Sequence, residues 1–155
     1  MVSRINHVSF VVSDIARSVE WYSRHLGLEV ATRQRQDNDY TRRLVGVPGA
    51  VLEVALLRLS KGTGNGPIVE LIEYVTPKGD RLAAAVNDVG ATHLAFEVDD
   101  LNSLYAELSG EPGVDFHTSP VAIEEGVNKG GWTCYLNDPD GNKLELHQPP
   151  RGGQS

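Results

Sequence analysis

The sequence predicts an α+β fold made of two matched units, each with the element order β-α-β-β-β. The main support is an internal repeat: residues 6–14 (NHVSFVVSD) resemble residues 92–100 (THLAFEVDD). In both copies a His opens an alternating apolar stretch, and an Asp follows in the position of a helix N-cap. Two copies of this size indicate two modules packed side by side, because a solenoid needs three or more repeats.

The first module is predicted to span residues 1–76. Alternating β-branched residues predict a strand at 5–12, and Asp14 is a suitable N-cap for the helix that follows. Gly27 can adopt the left-handed conformation that ends such a helix. The polar stretch 34–43 is predicted to be a mobile connection. Further strands are predicted at 28–33, 50–59 and 67–75, with a loop at 61–66 (KGTGNG).

The second module is predicted to span residues 92–148. Asp100 caps its helix, and the turn sequence DPDG at 138–141 separates its last two strands. Residues 77–91 form the linker, with a short helix expected near 82–86. The strands are predicted at 92–98, 114–118, 131–137 and 142–147, and residues 149–155 are expected to be a disordered tail.

Composition limits the classes of function. A net charge of −7 over 155 residues, with no basic stripe, argues against a nucleic-acid partner. The single cysteine, Cys134, excludes an internal disulfide and is expected to be a buried, inert thiol. No signal peptide and no apolar stretch of membrane-spanning length is present in this sequence, so we expect a cytoplasmic protein without a membrane partner.

Each copy of the repeat also carries one glutamate in a later apolar strand. Because side chains alternate along a strand, each module should place one imidazole and one carboxylate on the same face of its sheet. Two nitrogen and two oxygen donors in matched positions predict one divalent-metal site, and Zn²⁺, Ni²⁺, Co²⁺, Mn²⁺ and Fe²⁺ all suit this donor set. The four predicted ligands are His7, Glu70, His93 and Glu145.

The order of these motifs resembles the vicinal oxygen chelate superfamily, whose members include glyoxalase I, methylmalonyl-CoA epimerase, extradiol dioxygenases and bleomycin resistance proteins. The resemblance covers residues 5–148. It rests on Asn6-His7-Val8, Trp21-Tyr22, Leu26-Gly27-Leu28, the stretch HLAFEVDD at 93–100 and the stretch DPDGNKLEL at 138–146.

Membership would imply paired βαβββ modules that form a cupped, incomplete barrel around one metal. It would also imply a homodimer, whether the metal site lies within one chain or is shared between the subunits. The four predicted ligands occupy the ligand positions of glyoxalase I. The implied activity is that of a lyase or isomerase that moves a proton next to a carbonyl through a metal-bound enediolate or enolate. Glu145 or Glu70 would be the general base.

Four further residues are candidates for contact with a small-molecule substrate. Lys129 lies in a Lys-Gly-Gly segment that resembles the lid of glyoxalase I, and a plain flexible loop is the equal alternative. His147 is either a proton relay or a residue at the rim of the site. Glu97 is a second base or, by preference, a buried and paired carboxylate. Tyr74 should share a face with Glu70.

Other family activities stay open at this stage. The asparagine that follows the first glutamate in glyoxalase I is missing here, where Leu71-Ile72-Glu73-Tyr74 stands, and the long linker resembles that of the epimerase. An extradiol dioxygenase would need only three of the four ligands, so Glu70 argues against it. An antibiotic-binding protein is the non-enzymatic alternative, and the full ligand set argues against it.

Overall fold

A computed structural model of the chain describes residues 1–59 and 66–151. These residues belong to two units, 1–81 and 82–155, each with its own sheet. The α+β class is confirmed, and neither sheet closes into a barrel in the part described. None of the described helices is long and apolar enough to cross a membrane. Most of the predicted loop 61–66 and the end of the predicted tail lie outside the described residues.

The first unit contains a four-stranded sheet in the order β1-β4-β3-β2. Strand β1 runs parallel to β4, and the other neighbouring strands are antiparallel. Its elements are β1 (His7–Val11), α1 (Ile15–Leu26), β2 (Leu28–Gln36), α2 (Asp39–Val45), β3 (Val51–Leu59) and β4 (Ile68–Thr76).

The second unit repeats the central part of this arrangement. Strand β5 runs parallel to β9 in a sheet ordered β5-β9-β8-β6, and β7 pairs with β8. The strand pair that carries the His and the Glu is therefore parallel in both units. The elements are β5 (His93–Glu97), α3 (Leu101–Leu108), β6 (Asp115–Phe116), β7 (Val121–Ala122), β8 (Trp132–Asn137) and β9 (Lys143–Gln148).

The helix boundaries follow local chemistry, as predicted. The Asp14 carboxylate accepts a hydrogen bond from the Arg17 N–H at 3.0 Å, and the Asp100 carboxylate accepts one from the Ser103 N–H at 3.0 Å. Gly27 ends α1 at φ 66°, a conformation that glycine adopts without steric cost. Both predicted N-caps and the glycine C-cap are confirmed.

A second contact ties each helix to its sheet. The backbone N–H of Ile15, at the start of α1, donates to the Glu73 carboxylate at 3.0 Å. The backbone N–H of Leu101, at the start of α3, donates to Gln148 Oε1 at 2.8 Å. Free N–H groups at a helix start need acceptors, and the last part of β4 and of β9 supplies them. Glu73 therefore points toward the helix side, away from Glu70, as strand parity predicts.

The first sheet has apolar packing on both faces. On the α1 side, Phe10, Tyr22 and Leu71 are buried. On the opposite face, which also carries Glu70, a second cluster forms around three buried residues, two in β3 and one just before it. This Leu52 cluster consists of Ala50, Leu52 and Val54, with Val45, Val47, Leu56, Ile72 and Tyr74 packed against them.

The prediction of a mobile connection at 34–43 is wrong. Strand β2 continues to Gln36, and residues 39–45 form α2. Asn38 caps this helix by accepting a hydrogen bond from the Thr41 N–H at 2.9 Å. Arg42 forms an ion pair with Asp39 at 3.0 Å. A capped helix whose last residue packs on the sheet is stable even though its sequence is largely polar.

Two expectations for the linker and the second unit also need correction. Residues 82–86 contain no helix; Leu82 is 85% exposed and Val86 57% exposed, so no packing stabilises one. The strand expected at 114–118 is only the two-residue β6. The short strand β7, at Val121–Ala122, was not predicted.

One histidine of α1 is part of the core. The His25 ring is buried and packs against Trp21, with ring centroids 5.4 Å apart. The helical spacing of four residues places it on the same face of α1 as Trp21, which explains its burial. His117, by contrast, is exposed, and its Nε2 lies 3.0 Å from Asn137 Oδ1. Cys134 is buried in β8, as predicted.

Gly131 is a position where a side chain cannot fit. A Cβ there would clash with the backbone oxygen of Gln148 and would lie 3.1 Å from that of Asn128. We expect Gly131→Ala to lower the free energy of unfolding by about 1–3 kcal/mol, because backbone atoms would have to move. Chemical denaturation measures this, with Gly110→Ala as the control, since nothing lies within 4 Å of its Cβ. Equal stability of the two variants would contradict the close approach.

The Cys134 thiol should make stability depend on alkaline pH. Burial, followed by the negative charge of Glu145, raises the pKa of this thiol from 9.0 to about 11. The thiol ionises at a lower pH in the unfolded chain than in the folded one. Its contribution to the free energy of unfolding is therefore complete below pH 9.0 and is lost as pH rises toward about 11. Between about pH 8 and about pH 10.5, the free energy of unfolding measured in urea should fall more for the wild type than for Cys134→Ala. Parallel losses would show that other groups cause the effect.

Candidate functional site

The first unit brings together its predicted pair, His7 on β1 and Glu70 on β4. His7 Nε2 lies 3.6 Å from Glu70 Oε2. In the register of the parallel strands, Ser9 lies beside Glu70, and its hydroxyl donates to the same Oε2 at 2.5 Å. The His7 side chain is 46% exposed and that of Glu70 19% exposed. A solute can therefore reach the imidazole, whereas the carboxylate is largely enclosed.

The residue before His7 orients its ring. Asn6 Oδ1 lies 2.8 Å from His7 Nδ1. Because an amide oxygen can only accept, this contact places a ring proton on Nδ1, so Nε2 is the nitrogen available to a metal. A neutral imidazole held in this way by a second residue is the usual form of a metal-binding histidine.

The second unit brings together His93 on β5 and Glu145 on β9. His93 Nε2 lies 3.1 Å from Glu145 Oε2. The other carboxylate oxygen, Oε1, accepts a hydrogen bond from the Thr133 hydroxyl at 2.6 Å. The exposed fractions, 48% for the His93 side chain and 16% for that of Glu145, are close to those of the first pair.

Tyr135 is a site residue that the sequence analysis missed. It lies opposite Glu145 in the β8–β9 register, and its ring packs edge-on against His93 at a centroid distance of 5.2 Å. Burial raises the pKa of the Tyr135 phenol, and the negative charge of Glu145 raises it further. The phenol therefore keeps its proton to a higher pH than an ordinary tyrosine. The signal available in the sequence was strand alternation. Cys134 is buried on one face of β8, so its neighbour Tyr135 lies on the other face, which carries Glu145.

The four candidate substrate contacts are in different settings. His147 shares the Glu145 face, and its Nε2 is buried without a hydrogen-bond partner among the described residues. Glu97, opposite His147, is exposed, so the expectation of a buried carboxylate is wrong. Tyr74 shares the Glu70 face and packs against the Leu52 cluster. Lys129 is exposed in the loop before β8, and its backbone N–H donates to Gly126.

The residues present suit the predicted metal by their chemistry. Each unit supplies one imidazole and one carboxylate on adjacent parallel strands. Neutral imidazole and carboxylate are ligands that divalent transition metals accept together. Within residues 1–59 and 66–151, no group of three or more His, Cys, Asp or Glu side chains is arranged to hold a metal ion. The four-residue ligand set therefore stays a prediction.

Several curated enzymes are similar in sequence to this chain. The 2-epi-5-epi-valiolone epimerase of Actinomyces sp. is 32% identical over 151 residues, which cover 96% of this chain and 80% of that protein. The lactoylglutathione lyase of Escherichia coli O157:H7 is 27% identical over 154 residues, with 97% and 96% covered. The ethylmalonyl-CoA/methylmalonyl-CoA epimerase of Cereibacter sphaeroides is 29% identical over 131 residues, with 78% and 87% covered.

Solved structures show the same fold. A glyoxalase family protein from Bacillus cereus superposes with a TM-score of 0.81 at 22% identity, covering 97% of this chain and 96% of that one. The sequence model of the Glyoxalase/Bleomycin resistance protein/Dioxygenase superfamily matches residues 4–146. This match includes both His/Glu pairs and leaves out only the two ends of the chain. The chain thus belongs to the Glyoxalase/Bleomycin resistance protein/Dioxygenase superfamily, as the resemblance of its motifs implied.

Proposed function

We propose that this chain is a divalent-metal-dependent isomerase or lyase that moves a proton on a carbon next to a carbonyl, by way of an enediolate or enolate. The observation that carries the proposal is the pair of one accessible imidazole and one largely enclosed carboxylate in each unit. The similar enzymes support it, because they include both epimerases and lactoylglutathione lyases. An epimerase that acts on a ketone or a thioester and a glyoxalase share the same first step, the removal of an acidic C–H proton.

We assign the metal to His7, Glu70, His93 and Glu145, one pair from each unit. When bound, a divalent ion would stabilise the negative charge that develops on the carbonyl oxygen as the proton leaves. Zn²⁺, Ni²⁺, Co²⁺, Mn²⁺ and Fe²⁺ are all compatible with this donor set. The assignment holds whether one chain supplies both pairs or two chains of a homodimer share them.

The chain's own residues would perform the proton transfer. A glutamate carboxylate is the candidate base, because it lies on the accessible face of the sheet beside the imidazole and is itself partly enclosed. The Asn6 contact fixes the direction of the His7 ring, so we assign His7 to metal binding rather than to proton transfer. Lys129 and His147 remain candidates for holding the substrate's polar groups.

Metal content is the first test of this function. We expect about one equivalent of a transition metal per chain in the purified wild type, lost in His7→Ala, His93→Ala and Glu145→Gln. Inductively coupled plasma mass spectrometry measures it. His117→Ala is the matched control, because His117 is an exposed histidine bound to Asn137 and lies outside both pairs. A wild type that acquires no metal on reconstitution, or a control that loses it, would contradict the assignment.

Hydrogen exchange is the second test. In D₂O, the metal-loaded protein should place deuterium on the carbon next to the carbonyl of at least one of three probes: a glutathione hemithioacetal, a 2-methylmalonyl thioester and a polyhydroxylated cyclohexanone. NMR follows the loss of the proton signal. The double variant Glu70→Gln/Glu145→Gln should show no exchange above the rate of free metal. If no probe exchanges and the protein cleaves a catechol in an oxygen-dependent reaction, the proposed reaction is wrong. The protein would then be a ring-cleaving dioxygenase.

A further inference from the structure

We infer that His117 is a substrate-binding residue of the second unit, and that its ring accepts a hydrogen bond from a substrate hydroxyl group that lies away from the reacting carbonyl. Asn137 and Asp115 are its positioning residues. The inference rests on the proposed function for the reacting end of the substrate and adds the chemistry of the other end. The substrate is then a hydroxylated carbonyl compound.

His117 lies on the same face of the second sheet as Glu145. It directly follows β6, and its backbone N–H donates to the backbone oxygen of Tyr135 at 2.9 Å. Tyr135 in turn stands opposite Glu145 in the β8–β9 register. Phe116, the residue before His117, packs against Tyr105 of α3 with ring centroids 4.8 Å apart. Because side chains alternate along a strand, His117 points away from α3 and toward the Glu145 face.

The distance between His117 and Glu145 suits the two ends of one small molecule. With Tyr135 between them, the two residues occupy one row across β6, β8 and β9. Neighbouring strands are about 4.8 Å apart, so the backbone of His117 lies about 10 Å from that of Glu145. A carbonyl group held near Glu145 therefore leaves room for a ring or a short carbon chain before His117 is reached.

A chain of two hydrogen bonds fixes the orientation of the His117 ring. Asn137 Nδ2 donates to Asp115 Oδ2 at 2.7 Å, and His117 Nε2 lies 3.0 Å from Asn137 Oδ1. Because a carboxylate only accepts hydrogen bonds, Asp115 requires the amide nitrogen of Asn137 on its side. The amide oxygen therefore faces His117, and the ring nitrogen Nε2 must donate to it.

The other ring nitrogen, Nδ1, is the one available to a ligand. A neutral imidazole has one N–H and one acceptor nitrogen, so with Nε2 as the donor the acceptor is Nδ1. The His117 side chain is exposed, and Nδ1 has no hydrogen-bond partner among the residues that the structure describes. Such an acceptor binds a donor, such as a hydroxyl group, and repels the lone pairs of a carboxylate or phosphate. This position therefore selects a hydroxylated substrate end over an anionic one.

The same hydrogen bonds also tie the two-residue strand β6 to β8, so substrate binding has to be separated from this structural role. Two amide variants do so, because their side chains reach different positions of the ring. His117→Gln places an amide near the position of Nε2 and can keep the hydrogen bond to Asn137, but it has no acceptor at the position of Nδ1. His117→Asn places an amide near Nδ1 and loses the hydrogen bond to Asn137.

The first experiment measures deuterium exchange of a polyhydroxylated cyclohexanone by the metal-loaded protein. We expect His117→Gln to raise KM by about 2- to 10-fold, as for the loss of one neutral hydrogen bond, with kcat and metal content unchanged. His117→Asn should recover part of this loss. The control probe is 2-hydroxycyclohexanone, whose single hydroxyl adjoins the carbonyl and cannot reach His117, so its KM should not change. Tyr105→Phe, on the α3 side, should change neither KM.

The second experiment does not require turnover. In protein labelled with ¹⁵N-histidine, long-range ¹H–¹⁵N spectra show which ring nitrogen carries the proton, and His117→Ala identifies the signals. We expect the proton of His117 on Nε2 and a shift of the Nδ1 signal when the polyhydroxylated cyclohexanone is added. Asp115→Asn should give a mixture of both ring tautomers, because the amide of Asn137 can then turn around.

Several outcomes would overturn the inference while the proposed function stands. One is an unchanged KM in His117→Gln together with an unmoved Nδ1 signal. Another is a KM that rises in His117→Ala and is fully restored in His117→Gln, because the tie between β6 and β8 would then be the whole role. An equal rise for 2-hydroxycyclohexanone would show an indirect effect. If no probe exchanges, the proposed function is contradicted, whereas a shift of Nδ1 on addition of the ketone would still support hydroxyl binding at His117.

Discussion

In each unit one strand fixes both the helix and the candidate ligand, and the rest of the unit depends on it. Strand β4 carries Glu70 and, three residues later, Glu73, which accepts a hydrogen bond from the start of α1. Strand β9 carries Glu145 and Gln148 at the same spacing, and Gln148 accepts from the start of α3. An odd spacing places the two side chains on opposite faces of the sheet. The helix and the site therefore cannot move independently of each other.

The parts of the fold that the sequence predicted correctly depend on local signals. Strand alternation identified which residues share a face with His7 and His93. The strand registers confirm that Glu70 lies on the face of His7 and Glu145 on the face of His93. The aspartate N-caps and Gly27 define the helix ends within a few residues of chain, so they could be recognised without tertiary information. These signals were enough for the α+β class and the two His/Glu pairs, and the order of the motifs carried the resemblance to the family.

The parts that were missed depend on contacts between residues far apart in the chain. Helix α2 has a polar sequence, and Val45 packs against the Leu52 cluster only once the sheet has formed. Tyr135 becomes a partner of Glu145 only through the register of β8 against β9. A hydroxyl residue in a strand carries no local mark of the carboxylate that it will meet.

The parallel pairing of the ligand strands has a consequence for how the chain folds. Ser9 and Glu70, which meet in the first sheet, are 61 residues apart, and Ala95 and Glu145, which pair in the second, are 50 residues apart (145 − 95). Closing such long loops costs entropy before any strand contact compensates for it, so these pairings form slowly compared with α1 or a hairpin. Each His/Glu pair would then be among the last features to appear. A newly made chain would acquire its helices before it acquires any affinity for a metal.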